Sequence, residues 1–193
     1  MTESSQDKGG SQSQFWRFSL GFYALPEVAP ACVLLQDEGG MDINLMLFLL
    51  FLAESARIVS HAEVVRLDAD IAAWREDAVK PLRALRRRLK TGIGQMPQRD
   101  SEGLRNLVKK VELESERLEQ EFLARLAPGL GTPAPSRAEA ARANLSAYAA
   151  VLGRVPEKPL QIVLGAFTNA PPWPQGRSEE HTSELQSLAY LVC

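Results

Sequence analysis

The apolar residues of this chain recur mostly at intervals of three and four positions, which is the spacing of amphipathic helices. No segment alternates between apolar and polar residues as a meander of strands would. The pattern predicts an all-α fold with no sheet, built as an irregular bundle of six or seven helices with a long amphipathic helical arm. The predicted helices span residues 15–23, 28–36, 43–59, 60–91, 136–152 and 160–167, and the arm spans residues 94–126, of which 94–98 are a linker.

Capping residues mark where several of these helices begin. Asp42 is a good N-cap for the third helix, and residues 60–63 and 136–139 match the capping-box pattern. Pro81 would clash with the carbonyl of Asp77, so it either kinks the fourth helix or starts a new one. The third helix is apolar on nearly every side, which predicts a central position. The predicted core residues are Trp16, Phe18, Leu45, Phe48, Leu49, Leu52, Leu67 and Trp74.

The arm follows an alternating four-three spacing, which is typical of a helix with one apolar seam. The spacing indicates a long amphipathic helix, and a short coiled coil is compatible with it. The seam is made of Leu104, Val108, Val111, Ser115, Leu118 and Phe122.

Composition divides the chain into four parts. Residues 1–14 are rich in Ser, Gln and Gly and lack the basic-then-apolar order of a signal peptide, so we expect them to be disordered. Residues 15–168 are expected to form a single helical domain, followed by coil at 169–176. Residues 177–193 are predicted to be a non-native tail, because codons for them can be written as a common sequencing adapter, a short index and a second adapter block.

Charge and cysteine content narrow the functional classes. The whole chain has a net charge of −2, and without the tail its basic and acidic residues balance. This balance argues against a nucleic-acid coat or a polybasic membrane anchor. The longest apolar run, residues 45–53, would reach about 14 Å as a helix, less than half of a bilayer core, so we expect no membrane association. Outside the tail, Cys32 is the only cysteine, which favours a reducing compartment.

The sequence contains no recognisable catalytic or metal-binding signature. His61 is the only histidine outside the tail, and one histidine cannot make a zinc site. A dyad of Cys32 and His61 is conceivable. A buried structural thiol is the favoured interpretation, because Cys32 lies on the apolar side of the second predicted helix. No catalytic residue, cofactor or metal ligand is therefore predicted.

One candidate site is a polar cluster beside the paired glycines at 39–40. Paired carboxylates can exchange protons with a substrate or hold a cation. The favoured alternative is structural, with Asp42 as a helix cap and a polar network that fixes the angle between two helices. A pocket in which such carboxylates have raised pKa values would favour an enzyme. The cluster consists of Gln36, Asp37, Asp42 and Asn44.

A second candidate site is a row of four cations that fall within an arc of about 80° on a helical wheel. The adjoining arc is apolar, so we expect the helix to pack through it and to expose the cations together, where they would bind an acidic partner surface. The favoured alternative to nucleic-acid binding is a solvated face that pairs with acids within the chain or between subunits. The basic row consists of Lys80, Arg83, Arg87 and Lys90. A comparable acidic row on the arm consists of Glu112, Glu116 and Glu119.

Five segments are specific when taken together: residues 15–23, 32–39, 42–45, 74–75 and 81–87. In combination they resemble an uncharacterised, all-helical, mainly proteobacterial family that is a domain of unknown function. The resemblance covers roughly residues 15–165. It implies a cytoplasmic bacterial protein, and it implies no activity and no catalytic residue.

The leading functional prediction is a non-enzymatic interaction or adaptor protein that uses the basic row and the arm. One alternative is an enzyme that uses Asp37, Asp42 and Asn44. Another is a nucleic-acid or ribosome-associated factor that uses the basic helix. The predicted partner is therefore a protein with an acidic surface, nucleic acid is less favoured, and the sequence leaves the oligomeric state open.

Overall fold

The structure is a computed structural model that describes residues 13–174, so the predicted adapter-derived tail and nearly all of the predicted disordered start lie outside the described residues. The all-α prediction is confirmed within this range. The helices are α1 (Gln14–Tyr23), α2 (Val28–Gly39), α3 (Ile43–Glu54), α4 (His61–Trp74), α5 (Lys80–Leu89), α6 (Gln98–Leu126), α7 (Arg137–Leu152) and α8 (Glu157–Asn169). A π-helical turn, Arg75–Val79, joins α4 to α5 without a break, so the described residues form seven continuous helical segments.

The π-helical turn explains how one helix accommodates Pro81. Proline has no backbone N–H, and in an α-helix its ring clashes with the carbonyl four residues earlier, here that of Asp77. A π-helical turn bonds each N–H to a carbonyl five residues back, so it changes the register of the backbone before the proline. The interruption predicted at Pro81 is therefore a π-helical turn inside a continuous helix.

Helix α3 is the centre of the bundle and packs against α7, α6 and α1. Its central position was predicted from its apolar composition and is confirmed, as is the burial of Trp16, Phe18, Leu45, Phe48, Leu49, Leu52 and Leu67. The prediction for Trp74 is wrong, since 41% of this residue is exposed. Its indole N–H donates to the carbonyl oxygen of Ser115 at 3.0 Å, which holds the ring at the surface of α6.

Two predictions are wrong for the chain after α3: that the third helix continues to residue 59, and that the fold contains no sheet. Helix α3 ends at Glu54, and β1 (Arg57–Ile58) pairs antiparallel with β2 (Thr132–Pro133). Ala56 has a φ of +50°, a left-handed conformation in which an α-helix cannot continue. A local backbone reversal that the apolar pattern does not encode therefore stops the helix early.

Asn144 on α7 stabilises the extended segment after α3. Its side chain is fully buried, and its Oδ1 accepts a hydrogen bond from the Val59 N–H at 2.7 Å. Its Nδ2 donates to the carbonyl of Arg57 at 3.0 Å. Buried backbone groups require hydrogen-bond partners. The Asn144 amide thus provides the backbone of Arg57 and Val59 with hydrogen bonds that a longer helix would have provided.

The coil after α8 closes over α1. The ring of Trp173 lies edge-on to that of Phe18, with 5.9 Å between centroids, and its backbone N–H donates to the Glu54 carboxylate at 3.1 Å. A Cβ atom at Gly21 would come within 2.1 Å of the Trp173 ring. The contact therefore requires glycine at position 21.

No single helix among residues 13–174 is both long and apolar enough to cross a membrane. Helices α1 and α2 reach the required length and composition only as a pair, and they are bent by 100° relative to each other. Apolar residues of both helices are buried in the same core cluster as those of α3.

Candidate functional site

Helices α1, α2, α3, α5 and α6 and the π-helical turn enclose a cavity of about 290 Å³. Members of both predicted sites line it, although Asp37 and Lys90 are not among the lining residues. The fold therefore brings together two sets that are separate in the sequence. From the polar cluster and the basic row, the lining residues are Gln36, Asp42, Asn44, Lys80, Arg83 and Arg87.

The acids of the polar cluster are occupied by contacts within the chain. The Oδ1 atom of Asp42 accepts from the Leu45 N–H at 3.1 Å, which confirms its predicted role as the α3 cap. Its Oδ2 atom lies 3.6 Å from the guanidinium of Arg75. Asp37 binds Arg87 at 2.8 Å. Partial burial acts to raise the pKa of Asp37, but hydrogen bonds from Arg87 and Gln36 lower it overall, so this carboxyl group is a stronger acid than usual and stays ionised at neutral pH.

Helix α6 adds two buried polar residues to this cluster. The Nε2 atom of Gln120 donates to Asn44 Oδ1 at 2.8 Å. Burial, reinforced by the neighbouring Asp42, raises the pKa of Glu119 to about 9, so this carboxyl group retains its proton at neutral pH. Sequence analysis identified Glu119 only as one member of an acidic row and did not identify Gln120. The one available signal for both residues was the set of polar residues along one side of α6.

Arg83 is not exposed with the rest of the basic row, so that part of the prediction is wrong. Only 19% of its side chain is exposed, and its guanidinium lies 2.8 Å from Glu116 and 3.3 Å from Glu112. Arg86, which the predicted row omitted, also binds Glu112, with 3.1 Å between Nη2 and Oε1. Two members of the acidic row therefore pair with α5 inside the chain, which is the alternative that the sequence left open.

The other three cations of the row are exposed. Lys80 lies 2.6 Å from Glu76, and Arg87 lies 2.8 Å from Asp37. All four of these side chains are between 40% and 54% exposed. Exposed ion pairs contribute little to stability, so Lys80 and Arg87 can exchange their partners at little cost.

Helix α6 buries several polar side chains and exposes four large apolar ones. Its buried residues are Ser101, Val108, Glu112, Ser115, Glu119, Gln120 and Leu123. Of the predicted seam, Val108 and Ser115 point inward, whereas Leu104, Val111 and Leu118 are largely exposed. Together with two neighbours these three residues form what we term the α6 apolar surface: Trp74, Leu104, Leu107, Val111 and Leu118.

Cys32 is a buried core residue, as its position in the apolar pattern predicted. Burial raises the pKa of its thiol to about 12, so the group stays protonated and is a poor nucleophile at neutral pH. His61 is exposed at the start of α4. Within residues 13–174, no three His, Cys, Asp or Glu side chains are grouped in a way that could hold a metal ion.

Residues 14–123 match the model of a family described as a protein of unknown function, DUF2390. The chain belongs to this family. The resemblance to an uncharacterised family is therefore confirmed, although the matched region ends within α6 and not near residue 165. No curated protein and no solved structure matches the chain. Every residue that lines the cavity or belongs to the α6 apolar surface lies inside the matched region.

Proposed function

We propose that the protein is a non-enzymatic interaction protein whose α6 apolar surface binds the same surface of a second copy of the chain. The outward-facing apolar side of α6 carries this proposal, because its five large side chains are between 41% and 60% exposed. Large apolar side chains exposed on one side of a helix, with a tryptophan beside them, are typical of a protein-protein interface.

The spacing of the α6 residues suits a helical partner. Leu104, Leu107, Val111 and Leu118 fall within an arc of about 60° on the helix, at positions a, d, a and a of a heptad whose second d position is Glu114. Trp74 widens the surface, because its ring is hydrogen-bonded to Ser115 on the next row of α6. A long straight seam of this kind can be covered along its length by another helix.

Helix α6 cannot bury this side by rotating within its own bundle. Its inward side is held by the ion pairs of Glu112 with Arg83 and Arg86 and by the hydrogen bond of Gln120 to Asn44. Rotation would break these buried polar contacts, and each unpaired buried group is costly. No rotation of α6 among the described residues therefore removes the apolar side chains from water, whereas a second molecule can.

The charges beside the seam favour an antiparallel pair. A two-fold axis beside Val111 places Leu104 opposite the partner's Leu118. Lys110 then lies on the same flank of the pair as the partner's Glu114, about 3 Å from it along the helix axis. In a parallel pair, Glu114 at the edge of the seam would face its own copy, which is unfavourable.

Replacing Val111 by glutamate tests this proposal. The variant places two like charges at the two-fold axis, so we expect it to sediment as a monomer at concentrations where the wild-type protein sediments as a dimer. Val111 is 53% exposed, so the substitution should leave the far-UV circular dichroism spectrum and the melting behaviour of the monomer unchanged. Sedimentation velocity over a concentration series measures the effect.

The matched control is Val65→Glu, which introduces the same charge at another exposed valine, on α4 outside the α6 apolar surface. We expect it to remain dimeric. A wild-type protein that is monomeric at high micromolar concentration would overturn the proposal, as would dimers that survive Val111→Glu but not Val65→Glu.

The other functional predictions have less support from the contacts of the described residues. Arg83 and Arg86 are paired with Glu112 and Glu116, so within the predicted basic row Lys80, Arg87 and Lys90 remain for an acidic partner or a nucleic acid. Three phosphate contacts would give a salt dependence with a slope of only about −2.7 on duplex DNA. The enzyme alternative needs free carboxylates, whereas Asp37 is paired with Arg87 and Asp42 caps α3.

A further inference from the structure

We infer that the cavity between α1, α2, α3, α5 and α6 binds a small organic carboxylate with an apolar body and a hydroxyl group at the opposite end. This site is separate from the proposed dimer surface, because the cavity is lined by α6 residues that point inward. Its volume of about 290 Å³ is at the lower limit for ligand pockets and fits a molecule of metabolite size.

A hydrogen-bond acceptor without a partner lies in the wall of this cavity. Gln120 is 3% exposed, and its Nε2 atom donates to Asn44 Oδ1 at 2.8 Å. Its Oε1 atom accepts no hydrogen bond from any described residue. A buried amide oxygen without a donor is unfavourable, so a ligand that offers a hydroxyl group at this point gains affinity.

The apolar wall of the cavity is separate from the main core. Trp16 and Leu20 form a cluster of their own, against which Leu113 of α6 packs. All three side chains line the cavity. They provide a flat apolar surface on which a planar ligand body can lie.

The opening of the cavity carries the cations that can bind a carboxylate. Five lining residues are cationic and three are acidic, so the lining has an excess of positive charge. Arg83 and Arg86 are held by buried Glu112. Lys80 and Arg87 are half exposed and pair only with exposed acids, so a ligand carboxylate can replace those acids at little cost.

Three para-substituted compounds serve as probes: hydroxybenzoate, hydroxyphenylacetate and hydroxyphenylpropionate. They place the carboxylate and the hydroxyl at increasing separations on the same ring. We expect at least one to bind the full-length protein in isothermal titration calorimetry. The matching compound without the hydroxyl and the matching alcohol without the carboxylate should each bind roughly tenfold more weakly, which corresponds to about 1.4 kcal/mol.

Two variants connect the binding to the residues named above. Arg87→Gln should weaken the carboxylate probe roughly tenfold, whereas Arg88→Gln, at an exposed arginine that does not line the cavity, should not. Gln120→Leu should abolish the preference for the hydroxyl compound over its unhydroxylated analogue. Arg87→Gln keeps the test decisive if Gln120→Leu does not fold. Failure of all three probes to bind, or equal weakening by Arg87→Gln and Arg88→Gln, would overturn the inference.

Discussion

Replacement of Glu112 by alanine is expected to lower the free energy of unfolding by about 3–5 kcal/mol, because it removes one side of a buried ionic contact. Only 1% of the Glu112 side chain is exposed, and it binds both Arg83 and Arg86, whose side chains are 19% and 12% exposed. Without it, Arg86 loses its ion pair with Glu112, and Arg83 keeps the contact with Glu116. Urea denaturation followed by circular dichroism measures the difference.

The matched control for this substitution is Glu114→Ala on the same helix. Glu114 pairs with Arg117 at 2.6 Å, but 52% of its side chain is exposed. We therefore expect a loss of less than about 1 kcal/mol. Equal losses at the two positions would mean that the α5–α6 contact is not the buried ionic pairing described above.

Replacement of Glu119 by glutamine is expected to change how stability depends on pH. Burial and the neighbouring Asp42 raise the pKa of Glu119 from its ordinary 4.5 to about 9 in the folded protein. In the wild-type protein, Glu119 therefore makes its full contribution to the free energy of unfolding below pH 4.5. This contribution is lost as the pH rises from 4.5 toward 9. Glutamine cannot ionise, so the variant should gain stability relative to the wild type over this range, by at most about 1.4 kcal/mol per pH unit.

Denaturation curves at pH values on both sides of neutrality test this expectation. Glu114→Gln is the control, because hydrogen bonding to Arg117 lowers the pKa of Glu114. The contribution of Glu114 to the free energy of unfolding is therefore present above its ordinary pKa of 4.5 and is lost only in acid. The stability of this control relative to the wild type should show no trend between pH 5 and 8. A Glu119→Gln variant that follows the wild type in parallel over this range would contradict a neutral, buried Glu119.

The sequence predicts the fold well where local signals and apolar periodicity act together. The third helix was placed at the centre because it has no polar side, and the capping box at Ser60 marks the start of α4 in the structure. The end of α3 could not be predicted in the same way. It depends on the backbone of Ala56 and on hydrogen bonds to Asn144, a residue far along the chain.

The candidate site could be predicted only in its parts. The members of the polar cluster and of the basic row were identified, but their joint placement around one cavity depends on how α2, α3 and α5 pack. The four-three spacing predicted an apolar seam on α6 but not which side of the helix faces the bundle. Glu112 and Gln120 find partners on α5 and α3, so the side that carries them turns inward. Pairwise contacts between distant residues decide this orientation, and the periodicity of one helix cannot show them.

Disulfide trapping on α6 is the most direct test of the proposed antiparallel pairing. The full-length chain would carry Cys193→Ser to remove the cysteine of the terminal segment, together with either Leu104→Cys or Leu118→Cys. In the antiparallel pair, position 104 meets position 118 of the partner, while two copies of position 104 lie about 21 Å apart along the axis. We expect a disulfide-linked dimer when the two variants are mixed and oxidised, and little when either variant is oxidised alone. Linked dimers from Leu104→Cys alone, or none from the mixture, would contradict the antiparallel pairing.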